Sequence, residues 1–131
     1  MPSNPRVIVP GLQPSPRVTL NYQMDDEVRF LEGDCHILAI TLNKITDGFL
    51  QIAVTVPDYH AFCLNPQNNY ALDFDGYVPV EKLLYNWNTE EFNVVTEEYF
   101  IKNRWSMPEF RNSFRRANEI APSILRRHNI V

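Results

Sequence analysis

No apolar run in this 131-residue chain approaches the ~20 residues that a membrane-spanning helix needs, so the sequence predicts no membrane span. The N-terminus, Met1-Pro2-Ser3-Asn4-Pro5-Arg6, lacks the basic start and long apolar stretch of a secretory signal, and the expected setting is cytoplasmic. Cysteine is scarce. Cys35 and Cys63 allow at most one internal disulfide, which excludes a disulfide-built scaffold and predicts reduced thiols. Neither an internal repeat nor a low-complexity run is present. Basic residues are few in the first hundred positions, where 5 Lys/Arg stand against 14 Asp/Glu, a balance of about −9. Residues 101–131 hold 7 against 2 and offset part of it, leaving a net charge of −4. The basic tail is expected to complement the acidic body or to stay solvated, since its arginines are spread through a helical pattern that needs a polar face.

What is there is the material of one folded domain. Hydrophobic residues make up 44% and charged residues 21%, near the soluble globular averages, and the length suits a single core. Five of the ten prolines fall in residues 1–20 (Pro2, Pro5, Pro10, Pro14 and Pro16). Proline removes a backbone donor and fixes φ, so residues 1–22 read as an extended arm and residues 23–131 as the domain. Within the arm, Arg6-Val7-Ile8-Val9 and Arg17-Val18-Thr19-Leu20-Asn21-Tyr22 are β-prone. Asp25-Asp26-Glu27 reads as a solvated turn.

At Gly33-Asp34 the pattern turns helical. Ile37, Leu38, Ile40, Thr41, Leu42 and Ile45 make a helix apolar nearly all round, which belongs in a core. Asp34 is a good N-cap, placing Cys35 in the first turn, and Asp47-Gly48 supply a left-handed stop. Leu50–Val56 alternates with period two and is rich in β-branched residues, so it is a strand. Tyr59–Leu64 and Tyr70–Phe74 follow as strands around the loop 65–69. A four-residue loop at 65–68 pairs Leu64 with Asn69, Phe62 with Ala71 and His60 with Asp73; a six-residue loop places His60 across from Asp75 instead. Val80–Trp87 is a short amphipathic helix and Phe92–Val95 a further strand, while Thr96–Ile101 fits either state. Ser106-Met107-Pro108-Glu109 is a capping-box sequence that starts a helix. Its inner face is expected to carry Phe110, Phe114, Ala117 and Ile120, with Arg111, Arg115 and Arg116 pointing elsewhere and Pro122 interrupting it.

A thiol becomes a good nucleophile when a helix N-terminus and a nearby imidazolium lower its pKa. Cys35 has the first feature by position. His60 supplies the second if its strand packs beside the helix start, and Asp73 then holds the ring and its tautomer, with Asp75 as the competing orienter. The Cys35 N–H is one oxyanion donor. His36 is one step along the helix, roughly 100° away, and is not the base.

The run from Gly33 to Trp87 resembles the core of small papain-like cysteine hydrolases, the superfamily that also includes NlpC/P60 peptidases and transglutaminase-like proteins. The matching pieces are Gly33-Asp34-Cys35, His60-Ala61-Phe62 and Tyr70-Ala71-Leu72-Asp73, with the turn and short helix of Asp75-Gly76-Tyr77-Val78-Pro79-Val80-Glu81 behind them. The resemblance implies an α+β fold in which a central helix carrying Cys at its N-terminus packs on an antiparallel sheet, with additional C-terminal helices. It implies Cys35 as nucleophile, His60 as base, Asp73 as orienter, a protein or peptide substrate and no cofactor. Two features depart from the pattern. No glutamine stands in the six residues before Cys35, leaving Gln23 and Asn21 further back, and His36 replaces the aromatic often found after the nucleophile.

Rival readings differ in what the same residues do. Cys35, His36, His60 and Cys63 count as four zinc ligands, but His60 and Cys63 are three apart on a strand and point to opposite faces, which argues against a metal site. A non-catalytic interaction domain would use the acidic body or the basic C-terminal helix. Net negative charge and the lack of a recognised motif argue against nucleic acid as the partner of Arg111, Arg115, Arg116, Arg126 and Arg127.

Overall fold

The computed structural model describes residues 24–103 and 110–130. The proline-rich arm, the donors Asn21 and Gln23, and the capping box at Ser106–Glu109 lie outside the described residues. Within them the fold is α+β. A short helix α1 (Met24–Val28) runs into one π-helical turn (Arg29–Gly33), and α2 (Cys35–Ile45) follows. Then come β1 (Gln51–Val56), β2 (Ala61–Asn65), β3 (Tyr70–Asp73), β4 (Gly76–Pro79), α3 (Val80–Asn86), β5 (Glu91–Val94), α4 (Glu97–Lys102) and α5 (Phe110–Arg127). The sheet order is β4-β3-β2-β1-β5, with every neighbouring pair antiparallel.

The all-round apolar character of α2 has a simple cause. One side lies on β1 and β2, and the other is covered by α5. Every residue from Cys35 to Leu42 is buried as a result. Helix α5 contributes Ala117, Ile120, Ala121, Ile124 and Leu125, spaced i, i+3, i+4, i+7 and i+8 as one helical face requires. At ~1.5–3 kcal/mol per fully buried large aliphatic side chain, this stripe holds α5 in place despite its charged outer face. On the opposite face of the sheet, Val80, Leu83 and Leu84 of α3 pack on Ala53, Phe62, Leu64 and Ala71. The chain leaves α2 through Asp47 (φ 55°) and Gly48 (φ 87°), the expected left-handed stop, and Asn43 Nδ2 donates to Leu50 O at 2.7 Å to fasten β1 to the helix end.

Several expectations need correcting. Asp25-Asp26-Glu27 is helical rather than a turn, and Asp26 is buried. Its carboxylate receives Arg116 Nε and Nη2 at 3.1 and 2.8 Å, so Arg116 faces inward from α5 and not to solvent. Pro122 lies inside α5 without ending it. The carbonyl its ring frees is that of Asn118, an exposed residue where water can satisfy the oxygen, and the apolar stripe on both sides of the proline holds the helix together. Gly76–Pro79, read only as a turn before the short helix, pairs with β3 as an edge strand, where a proline at position 79 is tolerated. Thr96–Ile101 resolves to a helix, with Thr96 at its N-cap position.

Candidate active site

Cys35 opens α2 and is 6% exposed, while His60 sits immediately before β2 and is fully buried. The backbone brings them together: the N–H of Ala61, next to His60, donates to Cys35 Sγ at 3.3 Å. His60 itself is held by Thr55 of β1, whose Oγ1 accepts the N–H groups of His60 (3.1 Å) and Tyr59 (3.0 Å) while donating to Pro57 O at 2.7 Å. Thr55 is fully buried, so the turn carrying the imidazole is bound from within the sheet.

His60 Nε2 meets Asp73 Oδ2 at 2.7 Å. The route to this pairing differs from the expected one. The observed register, Cys63 with Leu72, Leu64 with Ala71 and Asn65 with Tyr70, belongs to the six-residue alternative, which sets position 60 across from position 75. Yet Asp75 is exposed in the turn before β4 and Asp73 makes the contact. Strand β3 ends at Asp73, and His60, beyond the first β2–β3 pair, reaches it diagonally along the same face, a separation a ring can bridge. Asp73 Oδ1 is itself pinned by the N–H groups of Asp75 (2.8 Å) and Gly76 (3.2 Å). The carboxylate is therefore oriented by the β3–β4 turn before it orients the imidazole.

With Nε2 committed to Asp73, the other ring nitrogen, Nδ1, is buried and makes no hydrogen bond among the described residues. Burial by itself would raise the Cys35 pKa, but the charge of His60, the influence of the nearby His36 and His60 rings, and the hydrogen bond from the Ala61 N–H outweigh it and lower the thiol from 9.0 to about 6. Burial would likewise depress His60, yet the Cys35 charge and the Asp73 hydrogen bond lead the opposing effects and raise it from 6.5 to about 9. The two groups favour a thiolate–imidazolium pair at neutral pH. Cys63 shows what burial does without such help: its thiol is pushed well above the ordinary value, first by burial and then by the Asp73 charge, and its Sγ donates to Ala39 O at 3.2 Å. Both cysteines are free, and no group of three or more His, Cys, Asp and Glu residues suited to a metal ion is found among the described residues.

Three contributions escaped the sequence reading. Trp87, which ends α3, stacks on the His60 ring with centroids 4.0 Å apart and planes 10° from parallel, sealing it from solvent. Only the tertiary fold brings α3 back over β2, so no spacing announced it. His36, expected to turn away, packs its ring on Phe100 at 5.3 Å and still helps to lower the pKa of the neighbouring thiol. Asp34 does not cap α2 with its side chain. Its Oδ2 instead receives the Ser113 hydroxyl of α5, a partner 79 residues away that local cap rules cannot see.

No family model matches this chain, and neither the curated proteins nor the solved structures contain a significant match to it. No helix among the described residues is long and apolar enough to cross a membrane.

Proposed function

We propose that this chain is a thiol-dependent hydrolase or acyltransferase of papain-like fold acting on an amide bond, with Cys35 as nucleophile, His60 as base and Asp73 as orienter. The observation that carries the reading is the buried relay itself: Asp73 bonded to His60 Nε2 at 2.7 Å, and His60 and Cys35 each pushing the other toward its charged form. In the reaction the Cys35 sulfur attacks the carbonyl carbon of the substrate, and the C=O electron pair moves onto oxygen, to which the Cys35 N–H at the start of α2 donates. Collapse expels the amine, which takes the proton from His60 and leaves an acyl-thioester. Water or a second amine then attacks, giving up its proton to His60. Collapse returns the electrons to sulfur and frees the acid or the new amide. The substrate is a protein or peptide and no cofactor takes part; the reduced thiols suit a cytoplasmic setting.

One observation favours the non-catalytic alternative, an interaction domain on the same core: the thiol is 6% exposed and the imidazole fully covered. The two readings part on covalent chemistry. With p-nitrophenyl acetate, a small activated acyl donor, the catalytic reading expects a burst of p-nitrophenol and a single acetyl group on Cys35 by mass spectrometry, both lost in Cys35→Ala. A folded protein that never acylates at Cys35 overturns it in favour of the interaction domain.

A further inference from the structure

The sequence around the nucleophile contains its own rival for the site. Asp34 stands at the N-cap of α2, where an aspartate ordinarily turns back and accepts the N–H groups of the first helical turn. If it did so here it would set a carboxylate beside the thiol. It does not: Ser113 Oγ donates to Asp34 Oδ2, the side-chain cap hydrogen bond is absent, and the Ile37 N–H goes instead to the Asp34 backbone carbonyl at 2.9 Å. Ser113 is buried, and its own helix is anchored one turn later by Arg116, whose guanidinium binds Asp26 of α1 at 2.8–3.1 Å and Glu119 at 2.9 Å. Helix α5 thus grips the chain on both sides of the π-helical turn that leads into Cys35. Ser113 is buried on the helix that covers α2, and the hydrogen bond it makes there is to Asp34 and not to a member of the His60–Asp73 pair.

Resting on the reading of Cys35 as a nucleophile, we propose that Ser113 is a positioning residue which, by holding the Asp34 carboxylate away from the α2 N-terminus, keeps that negative charge off the Cys35 thiolate and off the developing substrate oxyanion. The groups that face the thiol from the elements packed around it are His36 of α2 and His60 before β2, with Asp73 of β3 behind the latter. On the α5 side stand Asp34, Asp26, Arg116 and Glu119. Of these acidic groups only Asp34 is adjacent in sequence to Cys35.

The test titrates Cys35 by its iodoacetamide rate against pH, with the alkylated peptide identified by mass spectrometry so that Cys63 is scored separately, in the wild type, Ser113→Ala, Asp34→Ala and the double variant, alongside thermal unfolding. In Ser113→Ala the freed carboxylate swings onto the first turn, and the Cys35 midpoint rises by roughly half a pH unit, the size of a charge–dipole contact at a helix end. In the double variant, with no carboxylate left to intrude, the midpoint returns to the wild-type value; in Asp34→Ala alone it does not rise. A merely structural serine would lower the unfolding temperature of Ser113→Ala without this rescue. A wild-type midpoint that is not depressed below that of a free thiol overturns the nucleophile itself. A depressed midpoint that Ser113→Ala leaves unchanged, or that stays raised in the double variant, overturns the role of Ser113 alone. Should Ser113→Ala fail to fold, a raised midpoint in Asp34→Ala is by itself enough to refute the proposal.

Discussion

Replacing His60 by alanine separates the two opposed influences on the thiol, because burial and the imidazolium push it in opposite directions. With His60 present the Cys35 pKa is about 6, so at pH 7 about 90% of the thiol is ionised. Without His60 burial dominates, as it does at Cys63, and the pKa moves to the ordinary 9.0 or above. The ionised fraction at pH 7 then falls to about 1% or less, a loss of roughly 90-fold. Alkylation slows by less than this. A thiolate of higher pKa is intrinsically more reactive, by roughly 20-fold over three units at a Brønsted slope of ~0.45, so the net loss at pH 7 is only about 5-fold. The decisive assay is therefore the midpoint of thiolate absorbance near 240 nm, read against a Cys35→Ala blank. It is expected to move from near 6 to beyond 9. A midpoint that stays near 6 in folded His60→Ala would refute the assignment of His60 as the group that ionises Cys35.

Asp73→Asn keeps an acceptor for the Asp75 and Gly76 N–H groups but removes the charge on Nε2; the His60 limb of a pH–rate profile moves to lower pH and turnover falls on the order of 10²-fold or more, whereas Asp75→Asn, on an exposed residue, leaves the profile in place. Arg116→Ala removes the cation that the buried Asp26 carboxylate faces and costs about 3 kcal/mol in urea unfolding, with most of the loss recovered when Asp26 is also made apolar. Stability is expected to be nearly flat between pH 6.5 and 9 while activity titrates at both ends. The raised His60 pKa contributes stability that is full below 6.5 and lost as pH climbs to about 9, and the lowered Cys35 pKa contributes stability that is full above 9.0 and lost as pH falls to about 6. Over the shared window the two slopes have opposite signs and cancel, since a thiolate–imidazolium pair binds as many protons as the unfolded thiol and imidazole together. Urea unfolding at several pH values, compared with a pH–rate profile, checks this.

Much of the frame was legible because it is local. The period of 3.6 in residues 35–45, the alternation in 51–56 and the Asp47-Gly48 stop are decided by side chains a few positions apart, and each appears where the pattern puts it. The order Cys35, His60, Asp73 was likewise readable as chemistry. Where the reading went astray, a distant partner had overruled a local preference. Asp26 and Arg116 look like solvated surface until 90 residues of chain bring them together. Asp34 has the character of a cap and is held out of that role by Ser113.

By itself, then, the sequence determined most of the element types, the helix that carries Cys35 among them, and named three candidate groups, since periodicity and residue chemistry are properties of neighbours. Only the tertiary structure decided which acid meets His60, that Trp87 covers the imidazole, and that the Asp34 side chain meets Ser113 instead of capping α2. Each of those depends on strand register or on a helix folding back across the core, and a register shift of two residues exchanges partners without altering any local pattern.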